Sequence, residues 1–464
     1  MKHAIVWVLL MVPSLLWSQT QSCNCAATFE EVTTRVTESY LGLAHMQGTA
    51  AANTFKRRTG RFRKRSRQIS PENCALFLQE YLDFFEDGHL FVFELPQYTE
   101  AELDRFTQAV RDGVPTPDQL RAALGAFPDD PLVGLWRDQY STLAVVKADQ
   151  GYDVYVVNSS QPSVQGIERK GSFVLTERGL QGTYYSYQHA PRAVRGGLYK
   201  ANTQLVWMGG MVWAKQTETT RDGEAGAWPD PAMPTVTQLD AETALLTIPS
   251  FLVDGQAFNE VLLANLGLFF SAKRLIIDIR GNTGGNALYF SFLEAYADRP
   301  LPPSQGEVLA SEATLEYYAS RAGQSPIYDS VARRIQSHLG EIVPGPAYPG
   351  RLYSQPETQI EQVAILMDRG CMSAAESFVL HSLATSSMVT TFGEPTAGVI
   401  DYTSVVSLPI HAGGNRGMVL GMPTSSLHSQ IPQQGYNTTG ILPQVPLSEI
   451  DPIQGILKYW DRQP

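Results

Sequence analysis

The stretch LIIDIRGNTGGN, residues 275–286, decides the architecture. Its apolar run, ending at Arg280, reads as a strand buried on both faces, the pattern of parallel sheets covered by helices. It opens at once into Gly281, Asn282, Thr283, Gly284 and Gly285. Glycines there let the backbone take φ > 0 and come close to a ligand. In open α/β sheets, ligands bind beyond the carboxyl ends of the strands, where this loop falls. The G-x-G-x-x-G spacing is absent, so the loop is no dinucleotide fingerprint.

Around it, strand-like and helix-like segments alternate. ALLTI, RLIIDIR and VAILM read as strands, AFNEVLLANLGLFF and AAESFVLHSLAT as helices. That alternation predicts an α/β domain over residues 241–464. Upstream, GYDVYVVNS, GSFVLTE and GTYYSYQ are short, aromatic and β-branched, separated by Gly, Asn and Pro. They predict an antiparallel, barrel-like β domain over 129–240. Its end, TETTRDGEAGAWPDPAMP (217–234), reads as a linker. Residues 20–128 carry apolar residues at three- and four-residue spacing and predict a helical domain, with FVFEL as a short strand. The fold class is therefore multidomain α+β: helical, then barrel-like, then α/β.

A chain of 464 residues exceeds one hydrophobic core. A net charge of −11 argues against a nucleic-acid partner. One local exception, KRRTGRFRKRSRQ (56–68), holds eight Lys and Arg, and is read as a solvated inter-helix loop. Docking to an anionic membrane surface or to an acidic partner is the second reading of that run. Residues 1–19, with Lys2 and His3 ahead of AIVWVLLMVPSLLW, match a secretory signal peptide, predicting an exported chain. QSC before Cys23 lacks the small residues of a lipoprotein signal, and no later run approaches the roughly 20 apolar residues of a membrane span. In an oxidising compartment, Cys23 or Cys25 is placed to pair with Cys74. Zinc is disfavoured by the Cys23-Asn-Cys25 spacing.

A second stretch, RGCMSAAESF (369–378), follows VAILM and so also lies at the carboxyl end of a strand. Ser373 followed by Glu376 is a capping box. A serine at such a turn is also a candidate nucleophile, with the Ala374 N–H beside it and a helix dipole favouring negative charge. Gly284 or Gly285 would supply the second oxyanion donor. The serine needs a base. His381 lies eight residues along the same helix, roughly 12 Å away at 1.5 Å per residue, and cannot reach. His45, His189 and His338 read as surface residues. His411, His428 and His89 remain, and His89, in EDGHL, sits at a break between helix and strand.

Taken together, LIIDIRGNTGG, MSAAE, GEPTAG (393–398), LLTIPSF and EDGHL resemble the signature blocks of the C-terminal processing and tricorn-core serine peptidases. The resemblance implies a crotonase-like catalytic domain, Ser373 as nucleophile and Ala374 with Gly284 or Gly285 as oxyanion hole. The processing branch places a lysine base directly after GEPTAG, and that position is Val399 here. The tricorn-like branch takes a histidine from the end of its helical domain, which His89 matches. That branch also has an orienting acid where this chain has Asn437, with Glu394 and Asp401 as nearby acidic alternatives. The implied function is a secreted serine endopeptidase acting on peptides or proteins, without metal or organic cofactor. The alternative is a weakened relative that binds peptides or apolar ligands in the same cleft.

Overall fold

The computed structural model describes residues 24–462 apart from 95–97, 139–140, 160, 177–178, 200–203, 208–210, 216–232, 354–357, 413–416, 427–434, 438 and 448–450. The signal-peptide segment, Cys23, His428 and nearly all of the 217–234 linker lie outside the described residues.

Leu275, Ile276 and Ile277 are buried in the strand Arg274–Asp278, which occupies the middle of a six-stranded sheet. Its neighbours are Thr243–Thr247 on one side and Gln362–Met367 on the other, both parallel to it. Val389–Gly393 and Val445–Pro446 continue the parallel order, and Thr235–Gln238 closes the far edge antiparallel. Ala364, Ile365, Leu366 and Met367 are buried without exception, which explains the unalternating run in the sequence. Each of the Ile, Leu and Met side chains removed from water contributes about 1.5–3 kcal/mol. Helices cover the sheet, among them Gly255–Ala264, Leu266–Ser271 and Ala374–Thr385. The sequence pattern had one helix over AFNEVLLANLGLFF. The structure breaks it at Asn265, whose side chain bonds back to the Val261 carbonyl at 2.8 Å and competes with the helical ladder.

Eight antiparallel strands between Gly134–Arg137 and Met211–Lys215 close on themselves, the first pairing with the last through Trp136 and Lys215. Trp136, Trp207 and Trp213 fill the interior with Phe173 and Leu143. His189, read from sequence as a surface residue, is buried at the edge of this barrel, bonded to Glu168 at 2.9 Å and Thr107 at 2.9 Å.

The N-terminal region is helical: Cys25–Ser39, Ala50–Arg65 and Cys74–Leu82 pack around Phe29, Tyr81 and Phe85. The basic run expected to be a loop lies mostly within the helix Ala50–Arg65. Phe55, Thr59 and Phe62, at helical spacing, are buried, and this periodicity outweighs the charge around it. Cys25 and Cys74 form a disulfide across a 49-residue separation. Replacing both by alanine should lower the stability of this region by up to about 4 kcal/mol in urea titrations, because the unfolded chain regains that loop's freedom.

What ties this region to the α/β part is a second, five-stranded sheet. Phe91–Glu94 pairs with Met418–Ser426, which also carries Tyr402–Pro409 and Ser304–Leu309. One core holds Phe29, Leu78 and Leu90 together with Leu408, Leu420 and Met422. The residues just before Phe91 are thereby fixed against the C-terminal part of the chain. No helix among the described residues is long and apolar enough to cross a membrane.

Candidate active site

Two loops meet at the carboxyl ends of adjacent strands. The strand Gln362–Met367 leads into 368–372, and Ser373 caps the helix Ala374–Thr385 with φ +55° and ψ −114°. A non-glycine residue held there stores strain, and such outliers gather at functional sites. The 279–285 loop presses against this turn. Asn282, fully buried, donates its side-chain N–H to Ile248 O (3.0 Å) and accepts the Gly284 N–H (2.9 Å). The Asn282 carbonyl in turn takes the Met372 N–H (3.0 Å), stitching the loops together. A Cβ on Gly284 would lie 2.8 Å from Ala374 N and 2.9 Å from Ser373 Cβ, so only glycine permits the approach. The Gly284 N–H is thereby spent on the Asn282 side chain.

His89 reaches this turn from 284 residues away in the chain. Its Nε2 lies 3.0 Å from Ser373 Oγ, and its Nδ1 lies 2.6 Å from the Tyr402 carbonyl oxygen. A carbonyl only accepts, so Nδ1 carries the proton and Nε2 faces the hydroxyl with its lone pair. Burial pulls the imidazole below its ordinary pKa, while the Tyr402 bond partly restores it. Asp87 sets the turn by accepting the His89 backbone N–H (2.9 Å) and the Tyr40 hydroxyl (2.8 Å). Burial pushes Asp87 up to about 7 against those two bonds. Val399, in the position of the absent lysine, packs against Gly88, where a Cβ would come within 2.8 Å of its Cγ2.

Among the described residues, no carboxylate or amide side chain bonds the His89 imidazole. Asn437 instead accepts the Asp401 N–H (3.3 Å), while its own N–H goes to Asp401 Oδ2 (3.1 Å). It therefore holds the residue next to Tyr402. Glu394 is on the surface beside Arg369. Sequence reasoning missed Tyr402, and no signal pointed to it, because a backbone carbonyl is supplied by any residue. His45, read as a surface residue, bonds the Tyr402 hydroxyl (3.2 Å) and Glu307 (3.2 Å). His381 bonds Tyr289 (3.2 Å), and His411 is exposed. Cys371 is a buried thiol whose pKa burial pushes well up, so it packs and does not compete as a nucleophile.

Glu376 does more than cap. Completely buried, its carboxylate accepts the Ser373 N–H (3.0 Å), the Val399 N–H (2.8 Å), the Gly398 N–H (2.9 Å) and the Thr396 hydroxyl (2.5 Å). One side chain thus joins the Ser373 turn to the 396–399 loop. Glu376→Gln would turn an amide NH2 toward backbone donors and leave at least one bond unmade, costing about 2–4 kcal/mol. Urea denaturation reads this, and a loss under about 0.5 kcal/mol would show that the carboxylate is not needed.

Residues 242–447 match the family model of Peptidase family S41. No curated protein sequence matches the chain significantly. Among solved structures, mature CPAF is similar at 12% identity and a TM-score of 0.47, over 94% of this chain and 96% of that one. The photosystem II D1 C-terminal processing protease is similar at 12% identity and a TM-score of 0.36, over 93% and 96%. A lipoprotein from Streptococcus agalactiae is similar at 14% identity and a TM-score of 0.41, over 95% and 97%.

Proposed function

We propose that this protein, whose residues 242–447 match the family model of Peptidase family S41, is an exported serine endopeptidase using Ser373 as nucleophile and His89 as base. Peptide or protein chains are the substrate class. The observation that carries the reading is the 3.0 Å contact between His89 Nε2 and Ser373 Oγ, made by two distant segments. Nothing in capping or packing requires an imidazole there.

The steps follow from the geometry. His89 Nε2 takes the hydroxyl proton as Ser373 Oγ attacks the carbonyl carbon. The developing oxyanion meets the Ala374 and Gly285 N–H groups at a helix N-terminus, which lowers its energy through fixed dipoles. The imidazolium keeps its orientation through Nδ1–H to Tyr402 and then protonates the leaving amine. Water, deprotonated by the same imidazole, releases the acyl group. Asn437 takes a positioning part, steadying the 401–402 backbone. The parallel sheet with its paired carboxyl-end loops also supports the crotonase-like reading of residues 241–464.

The pH dependence follows from the sign of the shift. A base must be neutral, and burial holds His89 below 6.5. So kcat/KM should rise with pH along a limb centred below 6.5. An inflection near 7, the value for Asp87, should vanish in Asp87→Asn while the lower limb stays. A limb centred above 7 in that variant would remove His89 as the base.

Labelling by a fluorophosphonate probe tests the nucleophile: wild type should react and Ser373→Ala should not. The second reading, a weakened peptide-binding relative, is favoured by the lack, among the described residues, of a carboxylate on the His89 imidazole. Absence of labelling together with retained peptide binding would select it.

A further inference from the structure

The helix Ala50–Arg65 and the turn Ser66–Gln68 gather eight of the chain's 35 Lys and Arg residues within residues 56–68, on a protein of net charge −11. They divide into two sets. Arg63 and Arg65 make paired hydrogen bonds to Glu30 and Glu80, and Arg58 donates to the Glu80 and Tyr81 carbonyls while lying 4.6 Å over the Phe62 ring. These three brace the helix. Lys56, Arg57, Arg61, Lys64 and Arg67 are all exposed, and among the described residues none meets a carboxylate. At about 100° per residue, the first four span an arc of about 140°. That arc faces away from Phe55, Thr59 and Phe62, which are buried. Lys56, Arg57, Arg61 and Lys64 therefore form one outward face.

A surface like this has a cost, since like charges three or four residues apart on one helix repel. Neither the packing of the helix nor the Ser373 site uses it. We propose that this face docks the protein on an anionic phospholipid bilayer, held by headgroup phosphates. A convex helix meets a plane along its length, which brings Lys56, Arg57, Arg61 and Lys64 to the surface together. Nucleic acid fits less well. The helix offers no exposed aromatic ring for base stacking, since Phe55 and Phe62 are inside. The 46 acidic residues of the chain would also repel a polyanion extending beyond the face. Because the apolar side of the helix is spent on the protein core, docking is electrostatic and peripheral, without insertion. This inference does not depend on the peptidase reading.

Each cation near an anionic bilayer strengthens binding about fivefold. The full chain should therefore cosediment with vesicles of one part phosphatidylglycerol to two parts phosphatidylcholine, but not with pure phosphatidylcholine. About 0.5 M NaCl should release it, since the Debye length then falls well below the width of the face. The triple variant Lys56→Gln, Arg61→Gln, Lys64→Gln should bind at least tenfold more weakly at an unchanged thermal midpoint. If the triple variant does not fold, the single variants Arg61→Gln and Lys64→Gln should each weaken binding severalfold. Equal binding to neutral vesicles, or unchanged binding in the variants, overturns the proposal. Retention of single-stranded DNA without vesicle binding also overturns it, and would assign the face to a polyanion.

Discussion

Ser373→Ala should reduce kcat/KM by about 10⁴- to 10⁶-fold, the loss seen when a nucleophile that works as a unit with its base is removed. The substitution deletes one oxygen. The Ser373 N–H still reaches Glu376, the helix still starts at Ala374, and the φ of +55° is no worse for alanine than for serine. Stability should therefore change by no more than about 1 kcal/mol. That separation makes the result readable: lost peptide hydrolysis and lost fluorophosphonate labelling, with an unchanged circular dichroism spectrum and urea midpoint. Hydrolysis within tenfold of wild type would place the nucleophile elsewhere.

The part of this site visible in the sequence was the part that rests on residue identity. Glycines at 284 and 285 were readable because only glycine tolerates that approach: a Cβ at Gly284 would lie 2.7 Å from the Met372 carbonyl oxygen. The buried strands were readable because a two-sided burial pattern has no alternation. What escaped was what depends on the fold alone. The Tyr402 carbonyl belongs to any residue at that point, so no letter marks it. Glu376 showed its capping role, which is local, but not its bonds to Thr396, Gly398 and Val399, some twenty residues on. His45 and His189 looked like surface residues because their partners, Glu307 and Glu168, are distant in the chain. The basic run misled for a different reason. Its charge density suggested a loop, yet three well-spaced buried side chains are enough to hold a helix whose other face is almost wholly cationic.

His89→Ala should cost about as much as Ser373→Ala, and the double variant should cost little more than either alone. Without the imidazole, the Ser373 hydroxyl keeps its proton and attacks only as a weak alcohol. Added imidazole should recover part of the activity, because the Tyr402 carbonyl remains to orient it. Asn437→Ala is the contrasting case. In a Ser-His-Asp arrangement the acid holds the tautomer, and neutralising it costs about 10⁴-fold. Here the proton on Nδ1 is held by the Tyr402 carbonyl at 2.6 Å, and Asn437 acts one residue away, through the Asp401 N–H. Its loss should loosen the 401–402 backbone and lower kcat about tenfold, leaving the pH midpoint of the acid limb in place. If Asn437→Ala instead matches His89→Ala, the carbonyl is not sufficient to fix the tautomer. The amide would then be a direct partner of the base during turnover.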